Sequence, residues 1–383
     1  MPVEMITGNR AAALAVQQAG VDLVSAYPIT PQTAIVEDIA DFWARGELGG
    51  EFVSVESEYA ALSYCCGASA AGARTFTATS SHGLAFMHEM THWIAGARLP
   101  VVMAVVNRAL GAPWCLDPDQ GDSLSQRDTG WIQLYCASAQ EIFDTILQAF
   151  PLSESLLLPC MVVLDGFYLS HTYEAVELPE PEQVKRFVEP PRFAAQVDPL
   201  QPANMHGLAS GEEVSRLVRE RHRDLQRVPA VLKEINERFA AIFGRRYAPA
   251  EGKALEGAET VVVTAGSIYE TVVSALPGLD KTGMIRIKVF RPFPAEELRS
   301  LLKKSEARRI IVIDRNCSPG AGGILAQELK SALYNDGSGP LVQNLLLAGG
   351  IDLSPQMLRQ LVMEAPADCS GDLIMEQWGV DLR

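Results

Sequence analysis

No CxxC pair occurs among the seven cysteines of this 383-residue chain, and no apolar run approaches the ~20 residues that a membrane-spanning helix needs. The cysteines (Cys65, Cys66, Cys115, Cys136, Cys160, Cys317 and Cys369) are odd in number and scattered. They offer no iron–sulfur cluster spacing and read as reduced core residues, so single electrons leaving this chain would need clusters on another. Positive charge is also short. Against 47 Asp and Glu stand 32 Lys and Arg, a formal charge of −15, which argues against nucleic acid or an anionic membrane as a partner. The first ten residues lack the charged and apolar regions of a signal peptide, so a cytoplasmic location is expected. There is no GxSxG elbow, Walker A loop, EF-hand or repeat of solenoid length.

What is present is a long chain with 48% apolar residues, enough for two cores or more. Through residue 165 the pattern alternates. Short apolar runs at 21–26, 52–55, 75–78, 99–107, 132–135 and 160–165 read as strands, and 8–19, 32–44, 59–71, 83–96 and 139–149 as helices. This alternation predicts an α/β fold with a doubly wound, mostly parallel sheet. From 178 to 202 six prolines (Pro179, Pro181, Pro190, Pro191, Pro199, Pro202) indicate a strap. Residues 212–243 read as one or two charged helices with an apolar stripe of Val214, Leu217, Val218, Leu225, Leu232, Ile235 and Phe239. A second, smaller α/β domain opens at 259, with strands at 261–263, 284–289 and 310–314 and Gly320, Gly322 and Gly323 before a helix at 324–333. The expected divisions are 1–177, 178–257 and 258–383.

The first domain is organised around Ser25-Ala-Tyr-Pro-Ile-Thr-Pro-Gln32. Pro28 and Pro31 fix two φ angles and bias Tyr27 and Thr30 toward extended backbone, which makes a stiff turn at a strand's carboxyl end. Open α/β sheets place their ligand crevice there. Glu58 opens a nearly uncharged, small-residue helix; it either caps that helix or faces a heterocyclic nitrogen from its apolar wall. Arg108 ends the most apolar strand and suits bidentate carboxylate binding, or an internal pair with Asp117 or Asp122. His88-Glu-Met-Thr-His92 matches the HExxH signature of zinc hydrolases, with Glu89 as general base, but no third ligand is evident before Glu141. Otherwise those histidines are polar members of a helix face. Ser318-Pro-Gly-Ala-Gly-Gly323 either cradles a phosphate or is a tight-packing turn.

Taken together, Tyr27-Pro-Ile-Thr-Pro31, Ser57-Glu58, Thr77-Ala-Thr-Ser80, Asn107-Arg-Ala-Leu110, Ser125-Gln-Arg-Asp-Thr-Gly-Trp-Ile132, Gln140-Glu141, Asp165-Gly-Phe167 with Ser170-His171, and Arg291-Pro-Phe-Pro294 resemble the alpha, pyrimidine-binding chain of the 2-oxoacid:ferredoxin oxidoreductases. The resemblance implies a thiamine diphosphate pyrimidine-binding domain followed by a transketolase C-terminal-like domain. It implies half of an active site that oxidatively decarboxylates a 2-oxoacid, with the acyl group passing to coenzyme A. Glu58 matches the carboxylate that hydrogen-bonds the aminopyrimidine and promotes loss of the thiazolium C2 proton; the electron-accepting chemistry belongs to the cofactor. Thr30 and Arg108 match binders of the substrate carboxylate, and Tyr27, Pro28, Ile29, Thr30, Ser81 and His82 join Glu58 in the implied cofactor-binding set. A beta subunit is implied as holder of the diphosphate and Mg2+, so no metal ligand is expected here. A gamma subunit and a ferredoxin-like delta subunit with [4Fe-4S] clusters complete the implied assembly, which hands electrons to ferredoxin or another acceptor and without which this chain is expected to be inactive. Two departures stand out. His82 replaces a smaller or amide residue, and the loop Trp114-Cys-Leu-Asp-Pro-Asp-Gln-Gly-Asp122 adds Trp114 and Leu116 beside the carboxylate site, as for a branched or aryl 2-oxoacid such as phenylglyoxylate. A non-catalytic scaffold subunit and a zinc hydrolase are the alternatives.

Overall fold

A computed structural model describes residues 2–191, 193, 197, 200, 207–334, 339–347 and 351–365 and the backbone of 372–374. The alternation becomes a seven-stranded sheet in the order Val289–Arg291, Ile132–Tyr135, Cys160–Asp165, Val102–Asn107, Thr75–Thr79, Leu23–Ala26, Glu51–Ser54. Every neighbouring pair is parallel except the first. The four strands from Ile132–Tyr135 through Thr75–Thr79 are buried along their whole length, as parallel strands covered on both faces must be. Leu23–Ala26 lies between its successor Glu51–Ser54 and the later Thr75–Thr79, so the winding reverses at this strand. That reversal opens a crevice at the carboxyl ends.

Helix Ala139–Leu156 is the centrepiece of one face, with 15 of its 18 residues buried. The alanine-rich helix Gly8–Gln18 packs on it and on Thr33–Ala44, and Ala11, Ala12, Ala13 and Ala15 are wholly buried because short side chains let helices approach closely. The second sheet runs Asp372–Ile374, Leu341–Leu346, Arg309–Asp314, Thr260–Thr264, Thr282–Ile287, Ala250–Lys253, parallel except for the last pair. Among the described residues no helix is long and apolar enough to cross a membrane.

The expected strand 284–289 is in fact two. Thr282–Ile287 belongs to the second sheet, while Val289–Arg291 crosses over and pairs antiparallel with Ile132–Tyr135 in the first. The crossing has a polar cause. Arg286 donates to both oxygens of the Glu141 carboxylate, at 2.6 and 3.1 Å, and to Glu251 at 3.0 Å; Lys288 Nζ donates to Glu141 Oε1 at 2.6 Å and to Thr145 Oγ1 at 2.7 Å. All three ionic side chains are nearly inaccessible, so the two sheets are fastened by a desolvated cluster at the start of the central helix. Burial alone would raise the Glu141 carboxyl, but Lys288 and Arg286 overturn that and hold it below the usual carboxylate range.

Other departures from the sequence pattern are local. The expected helix 83–96 divides at Met87 into Ser81–Phe86 and His88–Gly96. A ribbon of Val3–Thr7 with Tyr173–Glu177, mostly exposed and so without an apolar signature, joins in antiparallel fashion. The proline strap begins with a helix, Pro181–Val188, closed by a Glu180/Gln183 capping box; Pro199 and Pro202 lie outside the described residues. The charged segment is two helices, Gly211–Gln226 and Val228–Phe243, and the apolar stripe meets the core in the second and, at the end of the first, through half-buried Leu225. Leu232, Ile235 and Phe239 are buried, whereas Val214, Leu217 and Val218 are 48, 41 and 47% exposed, because the apolar phase does not carry across the break at Arg227. Cys65, Cys66, Cys136 and Cys160 are core residues, and burial pushes the Cys65 and Cys136 thiols up to about 12. Cys115 is half-buried and Cys317 exposed, which corrects the core reading for that pair; Cys369 lies outside the described residues.

Candidate active site

Four neighbouring segments leave the first sheet on the same side: the 27–31 turn after Leu23–Ala26, the start of helix Glu58–Ala70 after Glu51–Ser54, residues 80–83 after Thr75–Thr79, and Arg108 after Val102–Asn107. The turn presents Tyr27, Pro28 and Thr30 at the surface and half-buries Ile29. It is tied from beneath, since Gln32 Nε2 donates to Tyr27 O at 2.9 Å and Asn9 Nδ2 to Pro31 O at 2.8 Å. The Thr30–Pro31 peptide is cis.

Glu58 is not the cap of its helix. Ser57 is, its hydroxyl accepting from the Ala60 amide at 3.2 Å, which leaves the Glu58 carboxylate uncommitted in the first turn and only 9% exposed. Its neighbour Gly83 explains the small-residue wall. A Cβ at Gly83 would stand 2.7 Å from Glu58 Oε1 and 2.6 Å from Thr79 Oγ1, so only glycine leaves room for both groups. The hydroxyls of Thr79 and Ser80 are buried beside them with no hydrogen-bond partner among the described residues.

The Arg108 guanidinium makes no ion pair with Asp117 or Asp122 among the described residues, which removes the internal-pair alternative. Nη1 donates to Thr30 O at 2.6 Å, Nη2 lies 3.2 Å from His82 Nδ1, and the buried Nε has no hydrogen-bond partner among the described residues. The Trp114 ring lies across the same group, its centroid 5.2 Å from Arg108 Cζ. Burial draws the guanidinium below its ordinary value against the pull of Asp122, without making it neutral at any working pH. His82 Nε2 accepts from the Gly111 amide at 3.1 Å, tying the loop after Arg108 back to the 80–83 turn. Arg108 thus touches both Thr30 and His82, and Glu58 sits against Gly83 in the turn that carries His82.

Behind Trp114 a cavity of about 630 Å³ opens between the 109–127 loop and residues 317–319, with Leu110, Pro113, Trp114, Pro319 and Ile324 as its apolar lining. Leu110, rather than the expected Leu116, shares this lining with Trp114. Sequence reasoning also missed what Asp122 does. Its side chain is buried and accepts from three backbone amides, those of Ser81, Arg108 and Ser123, at 2.8, 3.1 and 2.7 Å. The only available signal was its position among other acids in a polar loop.

The two conspicuous motifs outside this crevice are engaged elsewhere. His88 Nδ1 bonds to Gln126 Oε1 at 2.7 Å, its ring meets His92 edge-on with centroids 4.9 Å apart, and Glu89 accepts from Trp93 Nε1 at 3.2 Å. Glu141 is held by Arg286 and Lys288, and among the described residues no group of three His, Cys, Asp or Glu side chains could hold a metal ion. The zinc-hydrolase reading finds no support. In the second domain, the first amides of helix Ile324–Leu333 already have acceptors: Gly323 N donates to Asn344 Oδ1, Ile324 N to Asn316 Oδ1, and Leu325 N and Ala326 N to Asp314, at 2.8, 3.0, 2.8 and 3.1 Å. The 318–323 segment is therefore a packing turn.

Residues 14–237 match the family described as pyruvate flavodoxin/ferredoxin oxidoreductase, thiamine diphosphate-binding, and residues 258–358 match pyruvate:ferredoxin oxidoreductase core domain II. The chain is 44% identical over 358 residues to ketoisovalerate oxidoreductase subunit VorA of Pyrococcus abyssi, covering 92% of this chain and 90% of that one. It is 44% identical over 344 residues to pyruvate synthase subunit PorA of Methanocaldococcus jannaschii, covering 87 and 88%. A solved 2-oxoglutarate:ferredoxin oxidoreductase from Magnetococcus marinus superposes with a TM-score of 0.75 at 22% identity over 94% of this chain, which spans 65% of that longer one. A split-gene transketolase gives 0.57 at 14% identity, covering 94 and 98%. Both are likenesses of fold, and they agree with one α/β domain followed by a second.

Proposed function

This chain belongs to the thiamine diphosphate-binding pyruvate flavodoxin/ferredoxin oxidoreductase family, and we propose that it is the alpha subunit of a 2-oxoacid:acceptor oxidoreductase, supplying the pyrimidine half of a site shared with a beta subunit. The observation that carries the reading is the pairing, in one crevice, of a buried and uncommitted Glu58 carboxylate beside Gly83 with an Arg108 guanidinium whose Nε has no partner. These groups fit thiamine diphosphate and a 2-oxoacid. Glu58 is an anionic acceptor facing space that a glycine keeps open, and Arg108 is a cation with an unpaired buried donor.

Thiamine diphosphate, when bound, supplies a carbon acid that adds to the 2-oxo group and then accepts the electrons released with carbon dioxide. The chain's own contribution is placement and proton control. Glu58 accepts a hydrogen bond from the ring nitrogen and so governs the proton of the adjoining amino group. Tyr27, Pro28, Ile29, Ser81 and His82 form the rest of the cofactor wall; Thr30 and Arg108 orient the substrate carboxylate, with the Thr30 carbonyl fixing the guanidinium. Trp114 and Leu110, beside the 630 Å³ cavity, favour a branched or aryl 2-oxoacid over pyruvate. Division at 1–177, 178–257 and 258–383 belongs to the same proposal; the separate matches to 14–237 and 258–358 support its boundary at 258, while the first match runs on past 177.

The proposal places the diphosphate and Mg2+ on the beta subunit, [4Fe-4S] clusters on gamma and ferredoxin-like delta partners, and the acyl group on coenzyme A; it places the assembly in the cytoplasm. The lack of cluster spacing among this chain's cysteines supports that division. A scaffold subunit would give no reason for the Glu58–Gly83 arrangement. The test is anoxic viologen reduction by the natively purified complex, with pyruvate, 2-oxoisovalerate, 2-oxoglutarate and phenylglyoxylate, with and without thiamine diphosphate and coenzyme A. Thiamine-dependent reduction with one of these 2-oxoacids is expected. Failure with all four, from a complex that retains cofactor and clusters, would refute the reading.

A further inference from the structure

We infer that Asp122 is a positioning residue: its buried carboxyl joins the cofactor turn at Ser81 to the substrate arginine at Arg108 and sets the distance between them. The inference rests on the roles proposed above for those two segments. One oxygen, Oδ2, accepts from both the Ser81 amide, at 2.8 Å, and the Arg108 amide, at 3.1 Å. These residues lie on different strand ends 27 positions apart, so a single atom holds the two sides of the crevice in register. A second link runs in parallel, Ser81 Oγ donating to Ala109 O at 2.6 Å. Ser81 needs such anchoring, for it is buried with φ at 46°, a left-handed conformation that a serine rarely adopts unsupported.

A residue that positions others must itself be fixed, and Asp122 is fixed from behind. It lies in the short helical turn Gly121–Leu124, whose preceding amide, Gln120 N, donates to Arg315 O of the second domain at 2.7 Å. Gln120 Nε2 donates to Asp165 Oδ1 at 3.1 Å, and Asp165 Oδ2 accepts from Ser267 N and Oγ, again from the second domain, at 2.8 and 2.6 Å. Next to Asp122, Ser123 is held by Gln133 Nε2 on its carbonyl at 2.7 Å and by Tyr135 Oη on its hydroxyl at 2.8 Å. The second domain thereby braces Asp122 from behind, through the Arg315 carbonyl and through Ser267 on Asp165.

Burial pushes the Asp122 carboxyl up to about 8. In Asp122→Asn the amide oxygen takes over the two Oδ2 bonds, while the NH2 that replaces Oδ1 meets the Ser123 amide donor to donor and loses that contact. Asp122→Ala removes the bridge and leaves two buried amides without an acceptor. Asp122→Ser keeps a polar atom that is too short to reach both, and serves if the alanine variant fails to fold. In the purified complex, hydrogen–deuterium exchange of peptides spanning 79–87 and 105–112 is expected to rise together, at least tenfold, in the alanine or serine variant and to return in the asparagine variant. The KM for the 2-oxoacid is expected to rise about 10- to 100-fold with half-saturation by thiamine diphosphate changed less than threefold, and Asp122→Asn to restore KM to within threefold. A merely structural role would lower the active fraction and the thermal midpoint and leave KM alone; that result would overturn the inference, as would exchange rising in one peptide only. Arg108→Lys run alongside separates the failures. If it leaves KM unchanged, the role given to Arg108 is wrong; if it raises KM while Asp122→Ala does not, only the positioning role falls.

Discussion

Replacing Glu141 by glutamine tests how the two domains are fastened. In the native protein one carboxylate, 2% exposed, answers two cations: Arg286, 6% exposed, and Lys288, 1% exposed. The amide keeps the shape and one acceptor, so the bond from Ala137 N, 2.8 Å in the native protein, can persist, but both cations lose their counter-charge. Arg286 retains Glu251, which is 30% exposed, whereas Lys288 keeps only the Thr145 hydroxyl and the face of Tyr247. Breaking a buried pair by removing one partner costs about 3–5 kcal/mol. With an unfolding entropy of about 2.1 cal/mol/K per residue over 383 residues, a cooperative transition should drop by roughly 4–6 °C. The assay is thermal and urea unfolding of Glu141→Gln, Lys288→Met and the double variant. Because each charge is deleted in turn, the cycle should show a coupling of about 2 kcal/mol or more, with the double variant more stable than the sum of the single losses requires. The pH dependence has a definite sign. The folded Glu141 carboxyl lies below its unfolded value, so its stabilisation is present above the unfolded carboxylate range, near pH ~4.3, and is lost as pH falls through the folded value. Glu141→Gln should lack that acid-side loss. A midpoint within 1 °C of native, or strictly additive losses, would refute the reasoning.

Three further outcomes are expected. Glu58→Gln should lower kcat by about 100-fold or more while the complex still assembles, because the ring hydrogen bond loses its anionic acceptor; near-native turnover would remove Glu58 from the chemistry. Gly83→Ala forces a Cβ to within 2.7 Å of Glu58 Oε1, so half-saturation by thiamine diphosphate should rise about tenfold, as measured by titrating the stripped complex; an unchanged value would show that the carboxylate has no role in cofactor binding. Trp114→Ala should lower the kcat/KM ratio of phenylglyoxylate or 2-oxoisovalerate to pyruvate by about tenfold, read from competition assays, and an unchanged ratio would remove Trp114 from substrate choice.

The parts of this protein that were legible in sequence are those whose signal is local. The run ending at Asn107 could only be a central strand, and the two prolines of the 27–31 turn mark a crevice edge without any knowledge of the rest. Arg108 was visible as a charge at the end of an apolar strand, but its partners were not, because a backbone carbonyl at Thr30 leaves no compositional trace. Asp122 was weighed only as an ion-pair partner. Its actual bonds are to amides of residues far along the chain, which periodicity cannot report. Arg286 and Lys288 carried an overlooked clue: alternate residues of a strand share a face, so two cations at that spacing amid buried neighbours imply an acid opposite. The stripe at 214–218 misled for the converse reason, since amphipathic spacing predicts a face and not what covers it.

The turn at 318–323 has a wider consequence. A strand followed by a glycine-rich bend and a helix is the architecture with which open sheets seize anions, yet here Asp314, Asn316 and Asn344 already occupy the helix's opening amides from within. The second sheet is thus a binding scaffold plugged by its own side chains. With that cradle filled from within, the second domain is left to serve as a frame that keeps the first in shape.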